Sequence, residues 1–195
     1  MRSAEVSRKT AETDIKIQIN LDNGDNCNIN TRCGFFDHML NQISRHAMIG
    51  LNIDAVGDLH VDAHHLVEDV GIVLGEAFAK ALGDKKGICR YGSACIPMDE
   101  ALSRCIIDLS GRSYLVWNVN IPSQKIGDID SEVFREFFTA FAQHAGATVH
   151  IENLYGINSH HIVESVFKAF ACALKAAVEI DPKLNGKLPS TKESL

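Results

Sequence analysis

No block of lysine and arginine interrupts the sequence: 19 basic residues are spread among 25 acidic ones, and the formal charge is −6. A nucleic-acid partner needs clustered positive charge against its phosphates. That class is excluded, while enough isolated cations remain for one small anion. No C-x-x-C pair occurs among the six cysteines, Cys27, Cys33, Cys89, Cys95, Cys105 and Cys172. Reduced thiols in a cytosol-like compartment are the reading this leaves. No apolar run approaches the roughly 18 residues of a membrane span, and the opening MRSAEVSRKTAET is without the apolar segment of a signal peptide. The expectation is a cytoplasmic chain with no membrane partner. What the sequence does have is 195 residues that are 46% hydrophobic and 23% charged, enough for a substantial core in one domain or in two small fused ones.

The chain also repeats itself. HHLVEDVGIVLGEAFAKAL from His64 aligns with HHIVESVFKAFACALKAAV from His160, matching both histidines, the valine, the glutamate and the apolar rhythm. Upstream, FFDHMLNQISRHA (Phe35 to Ala47) aligns with VFREFFTAFAQHA (Val133 to Ala145), so that His46 falls on His144 and His38 on Glu136. These segments read as helices. Alternation predicts strands in DIKIQINLD, with Ile15, Ile17, Ile19 and Leu21 on one face, and in RSYLVWNVNIP, with Leu115, Trp117, Val119 and Ile121 on one face. Further strands are predicted in LNIDAVGDLHVD and ATVHIENLYG, carrying His60 and His150. The fold class is therefore α+β with duplicated half-domains, residues 1–95 and 96–195, joined near Pro97. Each is a small sheet with helices on one face, and together they form one compact domain.

Both His-His-x-x-Glu segments fall in the first turn of an amphipathic helix. On such a helix His64 lies above Glu68 and His160 above Glu164, four residues apart. His65 and His161 point about 100° away. One helix can hardly wrap a single ion with all three side chains, so the motif presents two faces to two ions. Duplication then lets each ion take a His and Glu pair from one half and the odd histidine from the other. A single histidine at a helix start is usually a cap or a satisfied core residue, but packing does not demand this pattern twice. Imidazole and carboxylate donors without thiolate suit Mn, Fe, Co or Zn better than Ca or Mg. His46 and His144 lie two turns beyond the ligand position and suit local hydrogen bonds. Asp69, beside a ligand, is expected to orient a histidine.

RKTAETDIKIQINLDNG, GFFDHML, DAHHLVEDVGI, CRYG, DLSGRSYL, YGINSHHIVESVFKAFACAL and LPSTK, in this order, make the chain resemble the imidazoleglycerol-phosphate dehydratases over nearly its whole length. The resemblance implies a duplicated fold of the ribosomal protein S5 domain 2-like type, two manganese ions per site, and a shell of 24 subunits with sites between subunits. One ion would be held by His38, His65, His160 and Glu164, the other by His64, Glu68, His161 and the residue at 136. Many relatives carry histidine at that last position, where this chain has Glu136. A carboxylate can replace an imidazole on such a metal, so Glu136 is kept as a ligand.

The implied reaction is loss of water from imidazoleglycerol phosphate to give imidazoleacetol phosphate in histidine biosynthesis. Metal-bound ring nitrogens would let the ring push out the hydroxyl, and a carboxylate would take the side-chain proton. By resemblance that base is Glu12, delivered from a neighbouring subunit, with Glu68 and Glu164 as catalytic metal ligands. Arg90, Arg112, Lys168, Ser190 and Lys192 are the implied phosphate contacts. Two other readings use the same ligands. One is a binuclear metallohydrolase with a metal-bound water as nucleophile; the other is a non-enzymatic shell stapled by metal.

Overall fold

The computed structural model describes residues 1–192, so the last three residues of the expected second repeat lie outside the described residues. The first half runs β1 (Ser3–Lys9), β2 (Thr13–Asn20), β3 (Cys27–Asn30), α1 (Gly34–Ala47), β4 (Gly50–Gly57) and α2 (His64–Leu82). The second runs β5 (Tyr91–Met98), β6 (Ala101–Asp108), β7 (Tyr114–Asn118), a hairpin of β8 (Lys125–Ile126) and β9 (Ile129–Asp130), α3 (Val133–Ala145), β10 (Thr148–Tyr155) and α4 (Ser159–Val178). The strand orders are β1-β2-β4-β3 and β5-β6-β10-β7. In each sheet the last neighbour, β3 or β7, runs parallel to its partner and the other pairs are antiparallel. The α+β duplication is thus strand for strand, with the β8-β9 hairpin as an insertion in the second half.

Two details differ from the sequence reading. The boundary expected after residue 95 falls inside β5, whose eight residues pair with β6 without a break. The alternating runs DIKIQINLD and RSYLVWNVNIP hold strands at different places in the two sheets: the first forms β2, while the second contains β7, the counterpart of β3. The true counterpart of β2 is β6, whose inward residues are Ala101, Ser103, Cys105 and Ile107 against Thr13, Ile15, Ile17 and Ile19. Small and polar residues on the buried face of β6 mute the apolar alternation that made β2 legible.

The helices cover one face of each sheet. α2 lies on β1 and β2, α4 lies on β5 and β6, and the two halves meet through α2 against α3 and α1 against α4. The buried core at this junction is aromatic: Phe137, Phe138 and Phe141 of α3 meet Phe167 and Phe170 of α4, with Phe137 stacked on Phe167 at 5.5 Å between centroids. Such pairs add to the burial of large apolar rings. α2 approaches α3 through two glycines. A Cβ on Gly71 would sit 2.6 Å from the carbonyl oxygen of Phe137, and one on Gly75 would sit 2.8 Å from Cβ of His144. All six cysteines are free, and among the described residues no helix is long and apolar enough to cross a membrane.

Because Gly71 meets backbone, which cannot swing aside, Gly71→Ala is expected to cost about 1–3 kcal/mol by overpacking. The measurement is a lower urea midpoint at an unchanged denaturant slope.

Candidate active site

Asn158 opens α4: its side-chain oxygen accepts from the backbone N–H groups of His160 and His161. Asp62 does the same for His64 at the start of α2. These caps place both His-His pairs in a first helical turn. In α4, His160 Nε2 stands 3.1 Å from Glu164 Oε2, and α1 brings His38 Nε2 to 3.2 Å from the same oxygen. Lys168 Nζ donates to the other oxygen, Oε1, at 2.6 Å. Glu164 is only 6% exposed. Burial pushes its carboxyl up, but hydrogen bonds from Lys168 and His38 outweigh this and hold it below the ordinary glutamate range. Two imidazoles and one buried carboxylate, drawn from both halves of the chain, converge within 4.8 Å of one another.

A polar ladder runs back from this group along α1. Gln42 Nε2 is 3.4 Å from His38 Nδ1, and Gln42 Oε1 is 3.2 Å from His46 Nε2. His46 has the local hydrogen bond expected of it, and burial together with the Lys168 charge lowers its pKa. His144 faces Glu76 of α2 at 3.5 Å. His150 lies on β10, whereas His60 sits in the turn after β4.

The copy on α2 is looser. His64 Nε2 is 3.8 Å from Glu68 Oε2, and both side chains are more than two-fifths exposed. Glu136, the counterpart of His38, lies half-buried on α3 beside Trp117, Val119 and Ile121. Among the described residues it joins neither of the two groups of converging ligand atoms. Within one chain the middle histidines lie outside the His38, His160 and Glu164 group. His65 Nδ1 is 3.0 Å from Asp58 Oδ2 and 3.8 Å from Glu12 Oε2. His161 Nδ1 is 2.7 Å from Glu100 Oε2. These carboxylates, first Asp58 and Glu100 through their hydrogen bonds, raise both histidine pKa values. Glu100 is held down at about 2 by the N–H of Asn158, then His161 and the N–H of Ile157.

Asp69 does not orient a histidine. It faces the first sheet, where its Oδ2 accepts from Arg8 and from the hydroxyl of Thr13. Thr13 closes the turn that carries Glu12, and Thr10 Oγ1 accepts from the N–H groups of Glu12 and Thr13 at 3.1 and 2.9 Å. Being one residue past Glu68 turns Asp69 toward the sheet, so it anchors the Glu12 turn to α2.

The implied anion contacts gather at the start of β5. Arg90 Nε and Nη2 donate to the two oxygens of Asp108 at 2.7 and 3.2 Å, and Nη1 donates to the carbonyl of Pro189 at 2.8 Å. Arg112 approaches Asp108 at 3.8 Å, and Ser190 Oγ accepts from the N–H of Lys192 at 3.1 Å. Lys168 is not with them: it touches Met98, at the opposite end of β5.

A family model described as imidazoleglycerol-phosphate dehydratase matches residues 31–174. Imidazoleglycerol-phosphate dehydratases of Roseobacter denitrificans and Ruegeria sp. are 57% and 56% identical to the chain, over all of it and all of their own length. The chain belongs to the imidazoleglycerol-phosphate dehydratase family. The family's solved structures agree with the fold. The enzyme from Staphylococcus aureus is 40% identical with a TM-score of 0.84, covering 92% of this chain and 99% of its own. IGPD from Pyrococcus furiosus is 36% identical with a TM-score of 0.85, covering 97% and 100%.

Sequence reasoning missed Gln42, Asp58, Glu100 and Asp108. Gln42 was within reach, since it lies four residues from both His38 and His46. Glu100 could have been found by extending the repeat, because it precedes β6 as Glu12 precedes β2. Asp58 and Asp108 carry no local pattern.

Asp69→Ala is expected to lower stability by about 1.5–3 kcal/mol, the range for hydrogen bonds to charged groups. A denaturation cycle with Arg8→Ala tests the pairing: the double variant should lose less than the sum of the singles.

Proposed function

We propose that the chain dehydrates imidazoleglycerol phosphate to imidazoleacetol phosphate, using two Mn²⁺ per site, as a cytoplasmic step of histidine biosynthesis. The observation that carries this is the convergence of His38, His160 and buried Glu164 from the two halves of the chain. Two imidazole nitrogens and a carboxylate form a donor set suited to a borderline divalent ion such as Mn²⁺. His64, Glu68 and Glu136 would serve the second ion, and His65 and His161 would complete the two sets. Ions held there would act as Lewis acids toward the nitrogens of the substrate ring and as a template for it.

Sharing of the site between copies of the chain, in a 24-subunit shell, is supported by distance. Arg90 lies at the start of β5 and Met98, touched by Lys168, at its end. A strand of that length spans roughly 23 Å at about 3.3 Å per residue. A substrate with three carbons between ring and phosphate is far shorter, so metal ligands and anion contacts at opposite ends of β5 would come from different copies.

The chain's own groups then divide the work. Arg112 is the more exposed guanidinium of the anion group, with 69% of its side chain accessible. Arg90 has engaged three of its N–H groups on Asp108 and Pro189, which fixes the Ser190 loop and leaves two of its five donors for phosphate. Ser190 and Lys192 add a hydroxyl and a cation. Glu12 is 55% exposed, and among the described residues no hydrogen bond occupies its carboxylate. It would accept the proton from the substrate side chain while the hydroxyl beside the ring departs.

The test is turnover. Chelator-stripped protein should form keto product only after Mn²⁺ is restored. Glu12→Gln should lose about 10²–10⁴-fold in turnover while retaining metal content and assembly. Release of inorganic phosphate from the substrate would instead favour the metallohydrolase. Full assembly and metal content without product would favour the stapled shell.

A further inference from the structure

Glu12 and Glu100 occupy the same place in the two halves, each in the tight turn just before the second strand of its sheet. Each also stands near the middle histidine of its own half, yet their surroundings differ. Glu100 Oε1 accepts from the N–H groups of Ile157 and Asn158 at 3.1 and 2.7 Å, which aims Oε2 at His161 Nδ1, 2.7 Å away. Among the described residues Glu12 has no such anchor, and the ring of His65 leans on Asp58 instead, leaving Glu12 at 3.8 Å.

We infer that Glu100 and Asp58 are positioning residues that hold the Nδ1 proton of His161 and His65, so that each ring presents a bare Nε2 to a metal ion. A neutral imidazole has one N–H and one lone pair, and a carboxylate can only accept. Placing a carboxylate on Nδ1 therefore selects the tautomer that ligates through Nε2. On that side of His161 the nearest acid, Asp99, is 3.8 Å away, beyond a hydrogen bond. Glu100 fixes ring and helix together, because Asn158, whose N–H it accepts, caps the turn carrying His160 and His161. Duplication has thus split one position into two roles: Glu100 is committed to a histidine, while Glu12 is free to move a proton.

This inference rests on the dehydratase reading, and its test separates the two. In Glu100→Gln, Oε1 keeps both backbone N–H groups, but the amide nitrogen now faces His161 Nδ1 and donates to it. The proton is displaced to Nε2, which can no longer ligate. Asp58 has both oxygens within 3.3 Å of His65 Nδ1, so its variant is Asp58→Ala, which removes the acceptor outright. Calorimetric titration of the stripped proteins with Mn²⁺ should show one of the two ions bound about 10–100-fold more weakly in each variant. The weakening should exceed anything that the shift in urea midpoint of the metal-free variants accounts for, and Glu12→Gln should bind both ions normally. Wild-type affinity for both ions in Glu100→Gln and Asp58→Ala would overturn the inference alone. So would a fall in metal-free stability with no metal-specific loss. Failure of the wild-type chain to bind Mn²⁺ would overturn the dehydratase reading and the inference with it.

Discussion

A carboxylate buried to 6% exposure cannot stay ionised without partners, and that constraint organises the junction of the two halves. Glu164 finds its partners on both sides: His160 and Lys168 on its own helix, and His38 on α1 of the other half. The pairing works only if α1 and α4 hold their distance and register. Distance and register are set by packing away from the carboxylate: Phe35 and Phe36 of α1 meet Phe134 and Phe137 of α3 at 5.8 and 5.6 Å, and α3 meets α4 through Phe137 and Phe167. Interiors packed at crystal-like density transmit small displacements. The core therefore acts as the frame on which ligand geometry depends.

The fold was legible where one face of an element is uniformly apolar. β2 and all four helices show this, and the repeat in the His-His-x-x-Glu segments identified the duplication. It was illegible where the buried face is small or polar: β6 turns Ser103 inward, satisfied by a hydrogen bond to Ser165 at 2.7 Å. β3 is only four residues long and mostly exposed. Such strands are held by neighbours far away in sequence, and no local pattern announces them. The same division holds for the site. His160 with Glu164 could be read from a four-residue spacing, and His38 only from the resemblance that GFFDHML carries. Asp58 at His65 and Asp69 at Arg8 depend on loop paths and on which way one helix face turns.

The two copies of the motif have not kept equal environments. In the second half the motif's carboxylate is buried, braced by a lysine and met by a histidine from the other half. In the first half Glu68 is 44% exposed and 3.8 Å from His64, and the position matching His38 holds Glu136. Position 168, the lysine beside Glu164, matches Ile72, so the first half has no cation there to brace its carboxylate. Glu136 adds a further negative charge to a half-site that already has one fewer positive charge. Among the described residues Glu136 and Glu68 join no group of converging ligand atoms. The second half thus braces its carboxylate with the chain's own groups, and the first leaves Glu68 open to solvent.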